Sequence, residues 1–564
     1  MTHIHSEIRR GAYYDSVVLM QLQRGLLGLP GVVDAGVVMA TQANRDLLAQ
    51  SGLLTADAQA AGADDLLLVV KAGDEAAARA ALGQVDALLA RKRASGETEF
   101  RPRSLEAAVK QLPEAGWVLV SVPGRFAAGV ARDALGLGRH VFLYSDNVAL
   151  EDEVALKQTA RAKGLLVMGP DCGTAIVNGV GLGFANRVRR GPVGLVAASG
   201  TGLQTVASRL HALGSGVSHA LGTGGRDLKA EVGAISALQA LDLLARDPET
   251  RVIVLISKPP APEVATRLLA AARACGKPVV VDFIGYPPPA RQLGNLRFAA
   301  SLSEAAEIAV GLSGEKRLET GDLTSQSPIS TRYLRGLFSG GTLAYEAMLT
   351  LQSVLYPLYS NAPISKAQAL PDPVHSQAHT LLDLGGDEFT VGRLHPMMDN
   401  DLRLRRLRQE AADPQVGLIL LDIVLGEGAH ADPASELAPA IEQVLREAGR
   451  RLEIVVMVIG TDEDPQDMAA QMARCRAAGA VVFDNPAQAL AYVAGRFAAA
   501  AETSAPAVEV TGLAQAPLAA INVGVESFHT SLVGQGAQSV QVDWRPPAAG
   551  NEKLAAILAK MKKK

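Results

Sequence analysis

Small residues at a strand-to-helix junction form the first candidate site, because they could bind an anion. An apolar stretch from Gly194 ends in Ser199-Gly200-Thr201-Gly202, the SGTG loop, and passes directly into a helical pattern. The glycines lack Cβ atoms that would keep a ligand from the backbone, and Ser199 or Thr201 could cap the helix. The N–H groups of a helix N-terminus carry roughly half a positive charge, so phosphate or carboxylate is the expected ligand. A single loop of this kind is also typical of an ordinary capped turn.

A second loop of the same type indicates an internal duplication. Ser339-Gly340-Gly341-Thr342, the SGGT loop, again separates an apolar run from a helical pattern. Each loop is followed by a glycine pair before an acidic residue, and we include both pairs among the binding candidates: Gly224-Gly225 and Gly385-Gly386. Similar strands and helices then follow in the same order in both copies. Alternating strands and helices predict parallel doubly wound sheets, which bind ligands at the carboxyl ends of their strands, where both loops lie.

Composition limits the classes of protein to which the chain can belong. A chain of 564 residues is too long to fold around a single hydrophobic core, so we expect several domains. A content of 48% hydrophobic and only 4% aromatic residues favours α/β domains. A net charge of −4 without a basic, aromatic-rich strip argues against nucleic acid. Three separated cysteines without a CxxC pattern predict neither disulfides nor a metal site. No signal sequence and no run of about 18 apolar residues is present, so we expect a cytoplasmic protein that does not enter a membrane.

Four single side chains are weak catalytic candidates. Cys172 follows a strand and could be a nucleophile, although a small buried thiol is the alternative. His395 follows the second glycine pair and could transfer a proton. Arg226 and Lys258 could pair with phosphate or a carboxylate, but surface ion pairs would also explain them. The sequence does not identify a general base.

We predict a multidomain α/β fold with a small N-terminal α+β domain. Two strand–helix pairs suggest a ferredoxin-like start, and the next segment is a truncated Rossmann-like unit of the CoA-binding type. Two flavodoxin-like, ligase-type domains and a C-terminal partner-docking arm follow. The expected boundaries are 1–104 for the N-terminal domain, 105–188 for the truncated unit, 189–314 and 336–497 for the first and second ligase-type domains, 315–335 and 498–517 for linkers, and 518–564 for the arm.

Several ordered motifs resemble a known superfamily. SVPGRFAAGVARDAL, GLLVMGPDCGTAIVNG, GLVAASGTG and GTGGRD resemble the α subunit of the succinyl-CoA synthetase superfamily. GLFSGGTLAYEA, LLDLGGDEF and LILLDIVLGEGAHAD resemble the ligase domain of its β subunit. Both sets on one chain, behind a small N-terminal domain, are similar to the FdrA family, often labelled acyl-CoA synthetase.

Departures from that superfamily narrow what the resemblance implies. No Gly-rich CoA-binding loop precedes Trp117, and no ATP-grasp domain is visible. The stretch IGYPPPARQLGNLRF contains no histidine where the synthetases carry a phosphorylated one, and Lys258 replaces a supporting acidic residue. These differences argue against CoA and ATP as cofactors. Lys258 would instead favour a bound anion at this position.

The resemblance to FdrA proteins implies carbamoyl or acyl transfer through an acyl phosphate. That family includes a subunit of the oxamate carbamoyltransferase of allantoin catabolism, so phosphate or carbamoyl phosphate is the expected substrate. We expect companion subunits, with a homo- or hetero-oligomeric complex, and the stretch AAINVGVESFHTSLVGQ resembles the start of a usual companion protein. An acyl-CoA synthetase is the first alternative. A non-catalytic scaffold subunit that retains an anion site is the second.

Overall fold

The computed structural model describes residues 2–12, 16–63, 65–94, 102–288, 290–314, 333–390, 393–498, 519–523 and 526–542. Residues Met1–Ala501 form one unit and Glu502–Lys564 a second. Most of the two expected linkers lies outside the described residues, as do parts of the C-terminal arm.

The N-terminal segment forms a three-stranded antiparallel sheet in the order β1-β3-β2, with β3 in the centre. This order fits the ferredoxin-like expectation, with three of that fold's four strands among the described residues. Leu66, Leu68 and Val70 alternate towards the helices and are fully buried. The elements are β1 (His3–Arg9), α1 (Ser16–Leu27), β2 (Val32–Met39), α2 (Gln42–Gln50), α3 (Ala56–Gln59), β3 (Leu66–Ala72), α4 (Glu75–Gly83) and α5 (Val85–Ala94).

The next segment contains a three-stranded parallel sheet in the order β4-β5-β6. It has the size of half a Rossmann unit, as the sequence predicts. Alanines of its helix α7 pack against the sheet. The elements are α6 (Leu105–Gln111), β4 (Trp117–Val120), α7 (Gly124–Gly136), β5 (His140–Leu143), α8 (Leu150–Ala162) and β6 (Val167–Met168).

An eight-stranded sheet lies at the centre of the first ligase-type domain. Two of its strands precede the expected boundary at residue 189 and join through an antiparallel pairing. The elements are β7 (Thr174–Val177), β8 (Val180–Gly183), β9 (Arg190–Ala198), α9 (Gly200–Ala212), β10 (Val217–Gly222), α10 (Ile235–Arg246), β11 (Val252–Ser257), α11 (Pro262–Ala274), β12 (Val279–Phe283), β13 (Gln292–Leu293), β14 (Leu296–Phe298) and α12 (Leu302–Ser313).

A six-stranded, all-parallel sheet forms the second ligase-type domain. The segment that follows the helix after the SGGT loop supplies the edge strand β16, at Leu358–Ser360. The elements are β15 (Tyr333–Phe338), α13 (Gly341–Leu351), β16 (Leu358–Ser360), β17 (His379–Asp383), α14 (Asp387–Thr390), α15 (Asp401–Ala412), β18 (Val416–Val424), α16 (Pro433–Glu447), β19 (Glu453–Ile459), α17 (Met468–Ala477), β20 (Val481–Phe483) and α18 (Pro486–Ala498).

The two ligase-type sheets repeat one topology. Five parallel strands run β10-β9-β11-β12-β14 in the first sheet and β17-β15-β18-β19-β20 in the second. In both, the chain order is 2-1-3-4-5, the flavodoxin-like arrangement. Helices α9, α12 and α13 pack between the sheets, and their apolar side chains belong to one continuous core with residues of both. The duplication expected from the sequence is therefore present in three dimensions.

The second unit contains a parallel strand pair joined by a helix: β21 (Ala519–Val523), α19 (Glu526–Gly534) and β22 (Gln538–Val542). Ile521 pairs with Val540, and both side chains are exposed.

Candidate functional site

The SGTG loop forms a capped helix N-terminus, as the sequence predicts. Strand β9 ends at Ala198 and helix α9 begins at Gly200. Ser199 is the cap residue, and its Oγ accepts the N–H of Gly202 at 2.9 Å. A side chain on Gly202 would overlap that oxygen, which explains the glycine. The N–H groups of Gly200 and Thr201 lack intrahelical acceptors and point out of the helix start.

The SGGT loop is built differently from the first loop. Its cap residue is Gly340, which makes no side-chain capping bond, and α13 begins at Gly341. The N–H and Oγ of Ser339 both donate to the carboxylate of Asp422, at 2.8 Å for the shortest contact of each. Arg403 holds Asp422 from the other side, at 3.2 Å. Ser339 therefore binds an internal carboxylate, and the N–H groups at the start of α13 are the part of this loop that can face a ligand.

The two helix N-termini meet directly. Ser199 Oγ and Thr342 Oγ1 lie 2.7 Å apart and share a hydrogen bond. Gly340 packs so closely on Thr201 that an added Cβ would lie 2.3 Å from the Thr201 methyl carbon. The contact between the tips therefore combines a hydrogen bond between two hydroxyl groups with packing of the Thr201 side chain, including its methyl group, on Gly340. An anion could bind beside this contact, where Gly200 is exposed and Gly341 is half-buried.

A lysine and a carboxyl group converge on the start of α13. A Cβ on Gly341 would lie 2.3 Å from Asp383 Oδ2 and 3.0 Å from Lys258 Nζ. Lys258 follows β11 and Asp383 ends β17, so both project from carboxyl ends of strands. Strand β11 neighbours β9, and the strand order of the first sheet reverses between these two strands. Lys258 therefore lies at the position where folds of this type usually bind their ligands.

Burial raises the pKa of Asp383 to about 6, and the charges of Glu388 and Asp422 act in the same direction. The Lys258 ammonium and the N–H of Gly385, which donates to Asp383 Oδ1 at 3.0 Å, oppose this shift. A carboxyl group with such a pKa can accept or donate a proton near neutral pH.

Three further carboxyl groups face this region. Desolvation by burial, together with the negative charges of Asp146, Asp387 and Asp383, raises the pKa of Asp171 to about 7. Burial also raises the pKa of Asp146. Asp387 is exposed, so solvent reaches this side of the region. Burial and repulsion from the neighbouring carboxylates make protonation of Asp171 favourable near neutral pH.

Three of the four glycines in the two pairs allow close packing, and the fourth, Gly225, does not. Gly224 has φ +86° and lies against the carbonyl oxygen of Pro170, which leaves no room for a side chain. Gly225 is exposed. A Cβ on Gly385 would lie 2.6 Å from the Ser339 carbonyl oxygen and 2.8 Å from His395 Nε2, and one on Gly386 would overlap Glu388. Gly385 therefore joins the SGGT loop to the Asp383 region.

His395 and Cys172 have environments that bear on their candidate roles. Burial and the charge of Arg403 lower the pKa of His395 to about 4, which keeps its imidazole neutral. Its Nδ1 accepts the N–H of Met397 at 3.3 Å, so the proton is on Nε2, the atom next to Gly385. Cys172 is 2% exposed, and burial raises its pKa to about 12, which disfavours the reactive thiolate.

Arg226 takes part in a network between α8 and the first ligase-type domain. Its Nε lies 2.9 Å from Glu153 Oε2, and it donates to the carbonyl oxygen of Val148 at 2.8 Å. Lys157, fully buried, donates to Glu153 at 2.9 Å and Asp227 at 2.7 Å. Arg226 therefore already has a carboxylate partner, whereas Lys258 is oriented towards the helix tips.

Sequence reasoning missed the carboxyl groups of this site. Asp383 stands in the quoted LLDLGGDEF motif, at the end of a β-strand pattern, and that position was the available signal. Nothing local marks Asp146, Asp171 or Asp422 as neighbours of the loops, because they reach the site through other strands.

A cleft of about 510 Å³ is lined by Arg161, Arg267 and the start of α10, and includes none of the candidate residues. Within the described ranges, no group of three or more His, Cys, Asp or Glu side chains could hold a metal ion. No helix in the part of the chain that is described is both long and apolar enough to span a bilayer.

Comparison with known proteins identifies two parts of the chain. Residues 337–495 match the CoA-ligase family, and residues 1–103 match the heavy metal-associated domain of AllF. The latter segment contains no cysteine, the thiolate ligand that soft metal ions prefer. The dinucleotide-forming acetyl-coenzyme A synthetase 1 of Ca. Korarchaeum cryptofilum is 17% identical, covering 70% of this chain and 85% of its own, with a TM-score of 0.31.

Curated relatives give a closer match. The chain is 43% identical over 493 residues to the uncharacterized protein YahF of Escherichia coli, covering 85% of this chain and 95% of YahF. It is 27% identical to succinate–CoA ligase subunit alpha 2 of Archaeoglobus fulgidus, covering 40% of this chain and 80% of that protein. It is also 28% identical to the malate–CoA ligase alpha subunit of Methylorubrum extorquens, over 33% of this chain and 64% of the subunit. The chain therefore belongs to the FdrA family and has a CoA-ligase-type fold.

Proposed function

We propose that this chain transfers a carbamoyl group between oxalurate and phosphate, as a cytoplasmic subunit of an oxamate carbamoyltransferase-like complex in allantoin and purine catabolism. The observation that supports the proposal is the meeting of two helix N-termini beside Lys258 and Asp383. This arrangement combines N–H donors, a cation and a carboxyl group that can exchange a proton near neutral pH.

Phosphate is proposed to bind beside the contact between the helix tips. The N–H groups of Gly200, Thr201 and Gly341 would donate to its oxygens, and the Lys258 ammonium would offset its charge. The substrates are small anions, which suits a site at backbone level that two glycines keep open. The proposed reaction uses neither CoA nor ATP.

The proposed transfer forms one bond and breaks another at the carbamoyl carbon. A phosphate oxygen attacks that carbon, the bond to the oxamate nitrogen breaks, and the leaving nitrogen takes a proton. Asp383 is the proposed donor of that proton, and in the reverse reaction it accepts the proton when the nitrogen of oxamate attacks carbamoyl phosphate. Backbone N–H groups would stabilise the negative charge that develops on the attacked carbonyl.

An acyl-CoA synthetase activity is the second candidate, because CoA ligases are among the relatives of the chain. Two differences from the sequences of the synthetases argue against this activity. Residues 284–295, which follow β12, contain no histidine that could carry a phosphoryl group. The position expected to support such a histidine is Lys258, which would repel a cationic imidazole.

The test is an assay of purified protein with its companion subunits, oxalurate and phosphate. We expect carbamoyl phosphate to form, at a rate that depends on phosphate. Lys258→Met should raise the KM for phosphate about 10- to 100-fold, since a hydrogen bond to a charged group contributes about 1.5–3 kcal/mol. Lys229→Met is the matched control, because Lys229 is exposed.

The outcomes separate the candidate functions. A rate independent of phosphate would contradict the proposal. Formation of ADP or AMP from an acid, CoA and ATP would instead support a synthetase. A complex with unchanged kinetics after the Lys258→Met substitution would favour a scaffold role for this chain.

A further inference from the structure

Two carboxyl groups lie in the apolar core that the two ligase-type domains share. Asp282, near the end of β12, is 1% exposed, and Glu346, on α13, is 5% exposed. Asp282 lies on the same face of its strand as Val280, which belongs to the shared core together with Leu343 and Ala347 of α13. One carboxyl group comes from each domain.

Their hydrogen bonds account for only part of their oxygen atoms. Glu346 Oε1 accepts the N–H of Leu302 at 2.9 Å, so a residue of the second domain caps helix α12 of the first. Within the described residues, Glu346 Oε2 and Asp282 Oδ2 are buried without a hydrogen-bond partner. An ionised carboxylate without partners is costly in such surroundings, and protonation removes that cost.

The surrounding charges also favour protonation. Burial raises the pKa of Glu346 to about 7, opposed by the N–H of Leu302. Burial, with the negative charges of Glu346 and of Glu304 on α12, raises the pKa of Asp282 well above its usual range. The ammonium of Lys258, which follows β11, lies 5.8 Å from the centre of the Tyr345 ring and acts on Asp383.

We propose that Asp282 and Glu346 together retain at least one proton in the folded chain, and that loss of this proton loosens α13 from β12 and α12. The contact between the two ligase-type domains is therefore sensitive to pH. Two negative charges in one apolar core repel each other and attract water. Because α13 begins at Gly341, its movement would also weaken the contact between Ser199 and Thr342.

The direction of the pH effect follows from proton linkage. Between the usual glutamate value of 4.5 and about 7, the folded chain holds a proton that the unfolded chain has released. Stability contributed by this proton therefore falls as pH rises through that window and is lost above it.

Glu346→Gln tests the proposal. Glutamine keeps an oxygen that can accept the N–H of Leu302 but carries no charge. We expect the melting temperature of the variant to exceed that of the unsubstituted chain by a margin that grows from pH 5 to pH 8. Glu442→Gln on the exposed face of α16 is the matched control and should show no such trend.

Hydrogen exchange at the start of α12 provides a second measurement. At pH 8, the amides of residues 302–306 should exchange more slowly in Glu346→Gln than in the unsubstituted chain, and at pH 5 the difference should be smaller. Asp282→Asn should behave in the same direction if Glu346→Gln does not fold. Equal margins at both pH values, in melting and in exchange, would overturn the proposal.

Discussion

The contact between the helix tips can be tested by adding one methyl group. In Gly340→Ala, the new Cβ would lie 2.3 Å from the methyl carbon of Thr201, far closer than the usual contact of about 3.5–4.0 Å. Thr201 is 5% exposed and β-branched, so its side chain has little freedom to move away. Gly340 has φ −155° and ψ 137°, which alanine adopts without strain. The steric overlap is therefore the only new cost, and α9 and α13 must separate to relieve it.

The expected loss of stability has two parts. Overpacking a buried contact costs about 1–3 kcal/mol. Separation of the tips also weakens the hydrogen bond between Ser199 and Thr342, a bond that contributes about 1 kcal/mol. We therefore expect Gly340→Ala to lower the free energy of unfolding by about 2–4 kcal/mol, which urea unfolding followed by circular dichroism can measure.

Gly200→Ala is the matched control on the opposite tip. Its Cβ would meet only Thr174 Oγ1, at 3.8 Å, and an alanine in the first helical turn should leave stability unchanged or raise it by up to about 1 kcal/mol. Thr201→Ser removes the methyl group and should restore part of the stability of Gly340→Ala. Equal unfolding midpoints for the two alanine variants, or no restoration by Thr201→Ser, would refute direct contact between the tips.

Three further predictions concern single side chains. Asp383→Asn should abolish most phosphorolysis of oxalurate. The unsubstituted complex should lose activity as pH rises through about 6, because the protonated form of Asp383, which donates the proton, disappears there. A pH–activity profile that is flat near pH 6 would contradict this role of Asp383. Cys172→Ala should retain activity, and the native thiol should resist iodoacetamide in mass spectrometry of the folded chain, since its pKa is about 12. Lys157→Met should cost about 3–5 kcal/mol, because it removes the cation from the buried Asp227 and leaves Glu153 with Arg226 alone. The exposed Lys229→Met should not lower the melting temperature.

Local sequence patterns were sufficient to predict the secondary-structure elements of the ligase-type domains and the duplication of their order. The SGTG loop is a capped helix start, as its sequence predicts, and the two ligase-type domains consist of the alternating strands and helices that their sequences predict. Such features depend on neighbours within a few residues: alternation of apolar side chains, a serine before a helix, and glycines where a Cβ would overlap its own loop. The duplication was also readable, because both copies keep the same order of elements.

Tertiary structure alone decided what surrounds the two loops. Ser339 resembles Ser199 in sequence, yet it binds Asp422, a residue 83 positions away on β18. Arg226 and Lys258 were equivalent candidates from sequence, and only the packing of α8 gives Arg226 a carboxylate partner while Lys258 is oriented towards Gly341. The pKa values of Asp383 and Glu346 depend on burial by strands and helices from both domains. Sequence thus determined the fold of each half from short-range interactions, whereas charge, burial and contact between the halves arise from residues that come together only when the two cores merge.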